Sequence, residues 1–200
     1  MTAVILASAS PRRRQLLSSI GVTFVVQPAD IDETEHAGEY PVPYVERISK
    51  AKALAAVGRL GMGAIDDVVV LAADTTVDVD GTILAKPLDD DEARRMLGLL
   101  SGRTHQVHTA VYAWRVSGFH TVTVTTDVTF EVLDEARIDW YLSLGEHLDT
   151  AGAYGMQSAG AALVRRIAGS PSNVIGLPLA ETIGVLRACG VAVAGRLSGR

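Results

Sequence analysis

The run Ser8-Ala9-Ser10-Pro11-Arg12-Arg13 concentrates more chemistry than any other stretch of this chain. Serine suits the N-cap of a helix and proline its first position, so a strand is expected to turn into a helix here, with free backbone N–H groups at its mouth. Arginines in a first helical turn oppose the helix dipole. Arg12 and Arg13, with Arg14 behind them, make sense if an anion sits there, held by guanidinium forks and the hydroxyls of Ser8 and Ser10. A plain cap with solvated arginines is the bland alternative. Neither G-x-x-x-x-G-K-[ST] nor G-x-G-x-x-G occurs, and Gly61-Met62-Gly63 reads as an ordinary loop.

Asp74 follows the apolar run Val68–Ala73, so it is expected at the C-terminal end of a strand, where open α/β sheets place their ligands. A turn residue or cap is the alternative reading. Lys86-Pro87 closes a hairpin that begins just after Asp74, which returns the lysine toward it. Glu33 lies in the acidic stretch Asp30–Glu39, where a solvated loop is the ordinary interpretation. Only three of the eighteen Lys+Arg residues are lysines, Lys50, Lys52 and Lys86, and a lysine binds phosphate as a compact point charge. Codon drift toward arginine would explain their scarcity but not their placement. His105 and His108 are three apart on an expected strand and so point to opposite faces, while His36, His120 and His147 stand alone. A zinc cluster is therefore not expected; a metal here would be a hard ion held by carboxylate oxygens and substrate phosphates. Tyr112, Trp114 and Phe119 read as core or sheet-face aromatics, and Cys189 as an inert packed thiol.

The elements that must position these residues follow from periodicity and breakers. Strands are expected at Val4–Ala7, Thr23–Gln27 and Val68–Ala73, a hairpin over Val77–Leu84 turning at Asp80-Gly81, two long antiparallel strands at Thr104–Val116 and Phe119–Glu131, and a strand at Ala161–Ile167. Helices are expected from Pro11 toward Gly21, from Pro41 to near Gly58, and at Asp89–Leu100, Asp134–Leu144 and Leu179–Ala188. The second helix is expected to turn Val45, Ile48, Ala51, Leu54 and Ala55 inward and to keep Lys50 and Lys52 elsewhere. Strand–helix units beside long adjacent strands imply an α/β fold with a mixed sheet. One domain spans 1–200, with 194–200 as a flexible tail.

Composition limits the classes of function. The 200 residues are 48% hydrophobic and 20% charged, with a formal net charge of −5. Residues 61–150 carry 6 basic and 16 acidic side chains, which disfavours a nucleic-acid or membrane-surface binder. No apolar run approaches the length of a membrane span, and a single cysteine without a secretory leader reads as cytoplasmic.

Taken in order, the motifs resemble those of the Maf family of nucleotide pyrophosphatases. The resemblance opens with Leu6-Ala7-Ser8-Ala9-Ser10-Pro11-Arg12-Arg13 and continues through Glu46-Arg47, Lys50-Ala51-Lys52-Ala53, Ala73-Asp74-Thr75 and Lys86-Pro87. It then runs through Ser101-Gly102-Arg103-Thr104-His105-Gln106-Val107 and Ala151-Gly152-Ala153-Tyr154-Gly155-Met156-Gln157, ending at Asn173-Val174-Ile175-Gly176-Leu177-Pro178-Leu179. It implies an elongated α/β fold of two lobes around a central cleft, similar to inosine triphosphatases, and often a homodimer. It implies hydrolysis of a nucleoside triphosphate between the α and β phosphates with Mg²⁺ or Mn²⁺, as a house-cleaning activity that keeps non-standard nucleotides from incorporation and has been linked to arrest of cell division. By position, Asp74 matches the catalytic acid, and Ser8, Arg12, Arg13, Lys52 and Lys86 the substrate-binding residues. Glu33 and Asp74 would hold the metal. Arg12, Thr75 and Gln157 match positions tied to base preference, and Asp74-Thr75 resembles the branch that prefers dTTP and UTP. Ser158 stands where the family commonly has glycine. A non-catalytic nucleotide-binding regulator of septum formation is the alternative of another class.

Overall fold

The computed structural model describes residues 2–61 and 67–193. The expected loop through Gly61-Met62-Gly63 and the expected tail at 194–200 fall wholly or partly outside them. Strands β1 (Ala3–Leu6), β2 (Phe24–Val26), β3 (Val68–Val79), β4 (Thr82–Leu84), β5 (Thr104–Arg115), β6 (Gly118–Phe130) and β7 (Val164–Ala168) form one mixed sheet. Its order is β2-β1-β3-β5-β6-β7, with β4 paired to β3 alone. β1 runs parallel to β2 and β3; β5, β6 and β7 continue the sheet antiparallel. Helices α1 (Pro11–Ser19), α2 (Pro41–Val57), α3 (Asp90–Leu100), α4 (Glu135–Leu142), α5 (Pro171–Ile175) and α6 (Leu179–Ala188) flank it. The expected α/β class with a mixed sheet and flanking helices is the observed one.

Alternation along β3 assigns the faces. Val69, Leu71 and Ala73 pack with Leu16 and Leu17 of α1 and Leu186 of α6, whereas Val70 and Ala72 pack with Ala53 and Ala56 of α2. Side chains on a strand alternate with period two, so Asp74 belongs to the α2 face and Thr75 to the face of α1. Val45 and Ile48 of α2 are wholly buried, each worth roughly 1.5–3 kcal/mol of apolar burial.

β3 also opens the crevice. β1 accompanies it over Val68–Leu71 and β4 over Val77–Val79, leaving Ala72–Thr76 without a strand neighbour on that edge. Asp74 therefore lies in the middle of a twelve-residue strand and not at its end. The expected end was set by the last apolar residue, yet Thr75 and Thr76 are β-branched and continue the pairing with β5. What ends beside Asp74 is the parallel neighbour β1, which still produces a crevice at the carboxyl end of a strand.

Three further expectations are corrected. The buried face of α2 runs through Val45, Ile48, Ser49, Lys52, Ala53 and Ala56, while Leu54 faces solvent; Lys50 points outward as expected. The strand expected at Ala161–Ile167 begins only at Val164, after a 3₁₀ turn over Ala159–Leu163. The short helix α5 was not foreseen. Ser170 caps it through Asn173 N and Pro171 opens it, the same Ser-Pro chemistry that opens α1.

Candidate active site

The start of α1 is built as its residues require. Ser10 Oγ accepts from Arg13 N at 3.4 Å, Pro11 occupies the first helical position, and Ser10 N donates to Ser8 Oγ at 3.3 Å. The turn buries Ser8 and sends Arg13 across the end of the sheet. There Nε donates to Gly176 O at 2.8 Å, Nη1 to Ser8 Oγ at 3.3 Å and Nη2 to Thr75 Oγ1 at 2.9 Å. A guanidinium has five N–H donors, so two remain for a ligand. Burial draws the Arg13 pKa below its ordinary value, although Asp74 opposes that shift.

On the other face Lys52 reaches inward from α2. Its Nζ donates to Asp74 Oδ1 at 2.7 Å and to Glu33 Oε2 at 2.9 Å, with Asp74 only 5% and Lys52 only 8% exposed. The largest influence on Asp74 is desolvation, which raises its carboxyl above the ordinary range against the pull of Lys52 and Arg13. Glu33 lies on a chain segment without regular structure and is held from behind. Tyr44 Oη donates to Glu33 O at 3.0 Å, and Arg47 grips Thr34 O and the Glu39 carboxylate. That grip takes the Glu39 carboxyl down to about 2, while burial and the neighbouring carboxylates push the Tyr44 phenol up to about 12.

These groups line one cleft of about 490 Å³, a volume in the usual range for small-ligand sites. Ser8, Arg12, Arg13, Glu33, Lys52, Asp74, Thr75 and Lys86 are all on its wall. Gln157 is exposed and is not among the lining residues, whereas its neighbour Met156 is. Ser158, at φ −138°, needs no glycine conformation, and its hydroxyl donates to Glu146 Oε2 at 2.6 Å. Lys50 does not join Lys52 in the cleft, since a helical step of two residues sends it to solvent.

Two lining residues carried no signal in the sequence reading. Asp149 bonds Lys86 Nζ at 2.6 Å through its carboxylate and Arg12 Nη2 at 2.5 Å through its carbonyl, so one residue meets both outer cations. It stands just before the Ala151–Gln157 motif, on a segment without hydrophobic periodicity. Thr76 is buried on the same face as Asp74, and its Oγ1 has no hydrogen-bond partner among the described residues. That orphaned oxygen on the cleft wall is a feature a bound ligand or water would satisfy.

The polar end can gather phosphate oxygens around Ser8, Arg13 and Lys52, beside a desolvated carboxylate. Val77, Val107, Tyr154, Met156, Val174 and Ile175 give the rest of the wall an apolar lining suited to a flat ring. For a divalent cation the donor set is partial. Glu33 and Asp74 offer oxygens to the same point, now met by Lys52 Nζ, and no group of three His, Cys, Asp or Glu residues able to hold a metal occurs among the described residues. Two carboxylates fit Mg²⁺ or Mn²⁺ that keeps water and phosphate ligands; they do not fit an all-protein cage. No helix among the described residues is long and apolar enough to cross a membrane.

The family model described as Maf-like protein matches residues 3–189. A dTTP/UTP pyrophosphatase of Methylobacillus flagellatus is 49% identical over 195 residues, covering 98% of this chain and 96% of its own. One from Myxococcus xanthus is 48% identical over 199 residues, covering 98% and 97%. Among solved structures, the Staphylococcus aureus Ham1 protein aligns at TM-score 0.46 and 16% identity, over 64% of this chain and 71% of its own.

Proposed function

The chain belongs to the Maf family, and from that premise we propose that it hydrolyses nucleoside triphosphates between the α and β phosphates, with dTTP and UTP as preferred substrates. The observation that carries the proposal is the buried Asp74–Lys52 pair of 2.7 Å on the floor of a cleft that also holds Ser8, Arg13 and Lys86. The names of the relatives support the pyrimidine preference.

In this reading the phosphates lie at the polar end. Ser8 Oγ already accepts two hydrogen bonds, so its hydroxyl hydrogen is free for a phosphate oxygen. The two spare N–H groups of Arg13 and the third Nζ hydrogen of Lys52 bind others. Lys86 and Arg12 leave Asp149 to neutralise the outer phosphates. Lys52 engages Asp74 Oδ1, which leaves Oδ2 for a water. As that water attacks the α-phosphorus, its proton passes to Asp74, a new P–O bond forms, and the bond to the bridging oxygen breaks to release pyrophosphate. A carboxyl raised by burial is the better base, because it holds the proton more tightly. Glu33 and Asp74 would hold Mg²⁺ or Mn²⁺ together with the substrate phosphates. The cation supplies charge neutralisation and a more acidic water. No covalent intermediate is needed. Arg12 lines the wall and is the residue we assign to base preference; Thr75 lines it beside Arg13, and Gln157 would reach a base only from outside the cleft. A nucleotide substrate and one buried, unpaired cysteine support a cytoplasmic location.

The test is a panel of triphosphates with Mg²⁺ and with Mn²⁺. Pyrophosphate and monophosphate should form from dTTP and UTP with kcat/KM roughly tenfold or more above dATP and dGTP. Equal rates across the panel would remove the pyrimidine preference, and no turnover of any triphosphate would remove the activity.

A further inference from the structure

Arg13 Nη2 donates to Thr75 Oγ1, and a chain of hydrogen bonds continues inward from that half-buried hydroxyl. Thr75 Oγ1 lies 2.9 Å from Thr109 Oγ1, its partner in the β3–β5 register, and Thr109 Oγ1 donates to Asn173 O at 2.9 Å. A hydroxyl has a single hydrogen. Thr109 gives its own to Asn173, so between the two threonines Thr75 is the donor. Thr75 thus accepts from Arg13 and donates to Thr109, leaving no hydrogen for a base carbonyl.

The far end of the chain is fixed. Asn173 is wholly buried, and its Nδ2 donates to Val107 O at 2.9 Å and to Thr126 Oγ1 at 3.0 Å, which clamps α5 against β5 and β6. The same helix ends at Gly176, whose φ of +124° excludes ordinary side chains and whose carbonyl receives Arg13 Nε. Arg13 is therefore held twice by α5, once directly and once through two threonines. Thr109 is wholly buried and does not line the cleft.

We propose that Thr75, Thr109 and Asn173 form a hydrogen-bonded relay that positions Arg13, and that Thr75 acts on the reaction through Arg13 and not by reading the base. The inference rests on the phosphate-binding role given to Arg13 above. A fixed guanidinium keeps its two spare N–H groups aimed at phosphate, whereas a free one must be ordered in each binding event.

The experiment compares Thr75→Val, Thr109→Val, Thr75→Ser and Thr109→Ser in the full-length protein. Binding of inorganic pyrophosphate is measured by calorimetry, kcat and KM with dTTP, UTP and dGTP, and melting temperature alongside. Both valine variants should weaken pyrophosphate binding by a similar factor, roughly tenfold for a charge-assisted hydrogen bond. Both should lower kcat/KM by one common factor for all three nucleotides, and both serine variants should return toward wild type. A Thr109→Val protein that melts lower but binds pyrophosphate like wild type would mark a merely structural network and overturn the relay. A Thr75→Val change confined to the ratio of dTTP to dGTP would also overturn it, because Thr75 would then be reading the base. If Thr109→Val does not fold, the Thr75→Val and Thr75→Ser pair decides. Should the wild-type chain turn over no triphosphate, the proposed activity fails while the pyrophosphate measurement still decides the relay.

Discussion

Asp74→Asn should lower kcat/KM for dTTP by roughly 10²–10⁴-fold while the protein folds as before, the range expected when a general base is removed. The substitution keeps the shape of the side chain, and its amide oxygen can still accept from Lys52 Nζ. Lys52 also keeps Glu33 as a countercharge, so no buried cation is stranded. What is lost is the capacity to take a proton beside the reacting phosphorus. Steady-state pyrophosphate release, read beside the melting temperature, checks both halves. Near-normal turnover would move the base elsewhere in the cleft.

Lys52→Met should do more damage, because it harms stability and activity together. Lys52 sits between two carboxylates, one of them almost wholly buried, and its removal leaves Asp74 desolvated beside Glu33. Breaking a buried pair in this way costs on the order of 3 kcal/mol, and losing a donor to a transferring phosphoryl group costs roughly 10²–10³-fold in rate. The double variant Lys52→Met, Asp74→Asn should recover part of the stability, since neither charge is then left alone. The pH dependence has a definite sign. Asp74 has a folded pKa above its unfolded value, so the folded state binds the extra proton and stability falls as pH rises from the unfolded carboxylate range through the raised value. Without Lys52, which lowers that pKa, the fall should be steeper and extend to higher pH, so Lys52→Met should regain stability relative to wild type on going from neutral to mildly acidic buffer. Denaturant melts of the metal-free proteins at two pH values measure it. A destabilisation that does not change with pH would contradict the assignment.

How much of this was legible in the sequence differs by residue. The α1 mouth was legible because its signals are local: Ser10 caps, Pro11 starts, and the arginines follow at once. The same logic at Ser170-Pro171 was overlooked, and with it the Gly176 carbonyl that fixes Arg13. Asp74 was found, but its place within the strand was missed because an apolar run marks burial and not strand length. Lys52 was placed outside because α2 is rich in alanine: Ala51, Ala53, Ala55 and Ala56 cannot select a face, and a lysine is assigned to solvent unless its countercharge is known. That countercharge stands twenty-two residues away on another element. Asp149 lies beyond such reasoning for the same reason, since its partners Lys86 and Arg12 stand 63 and 137 residues away on other parts of the fold. Gln157 is the opposite case: motif resemblance puts it at the site, and in the fold it is exposed beside the cleft and not on its lining.

In the proposed reaction, water activated at Asp74 attacks the α-phosphorus. Hydrolysis of dTTP in water enriched in oxygen-18, with products separated and weighed by mass spectrometry, tests it most directly. The heavy oxygen should appear in dTMP, with pyrophosphate released unlabelled. Label in the pyrophosphate, or formation of dTDP and inorganic phosphate, would contradict it.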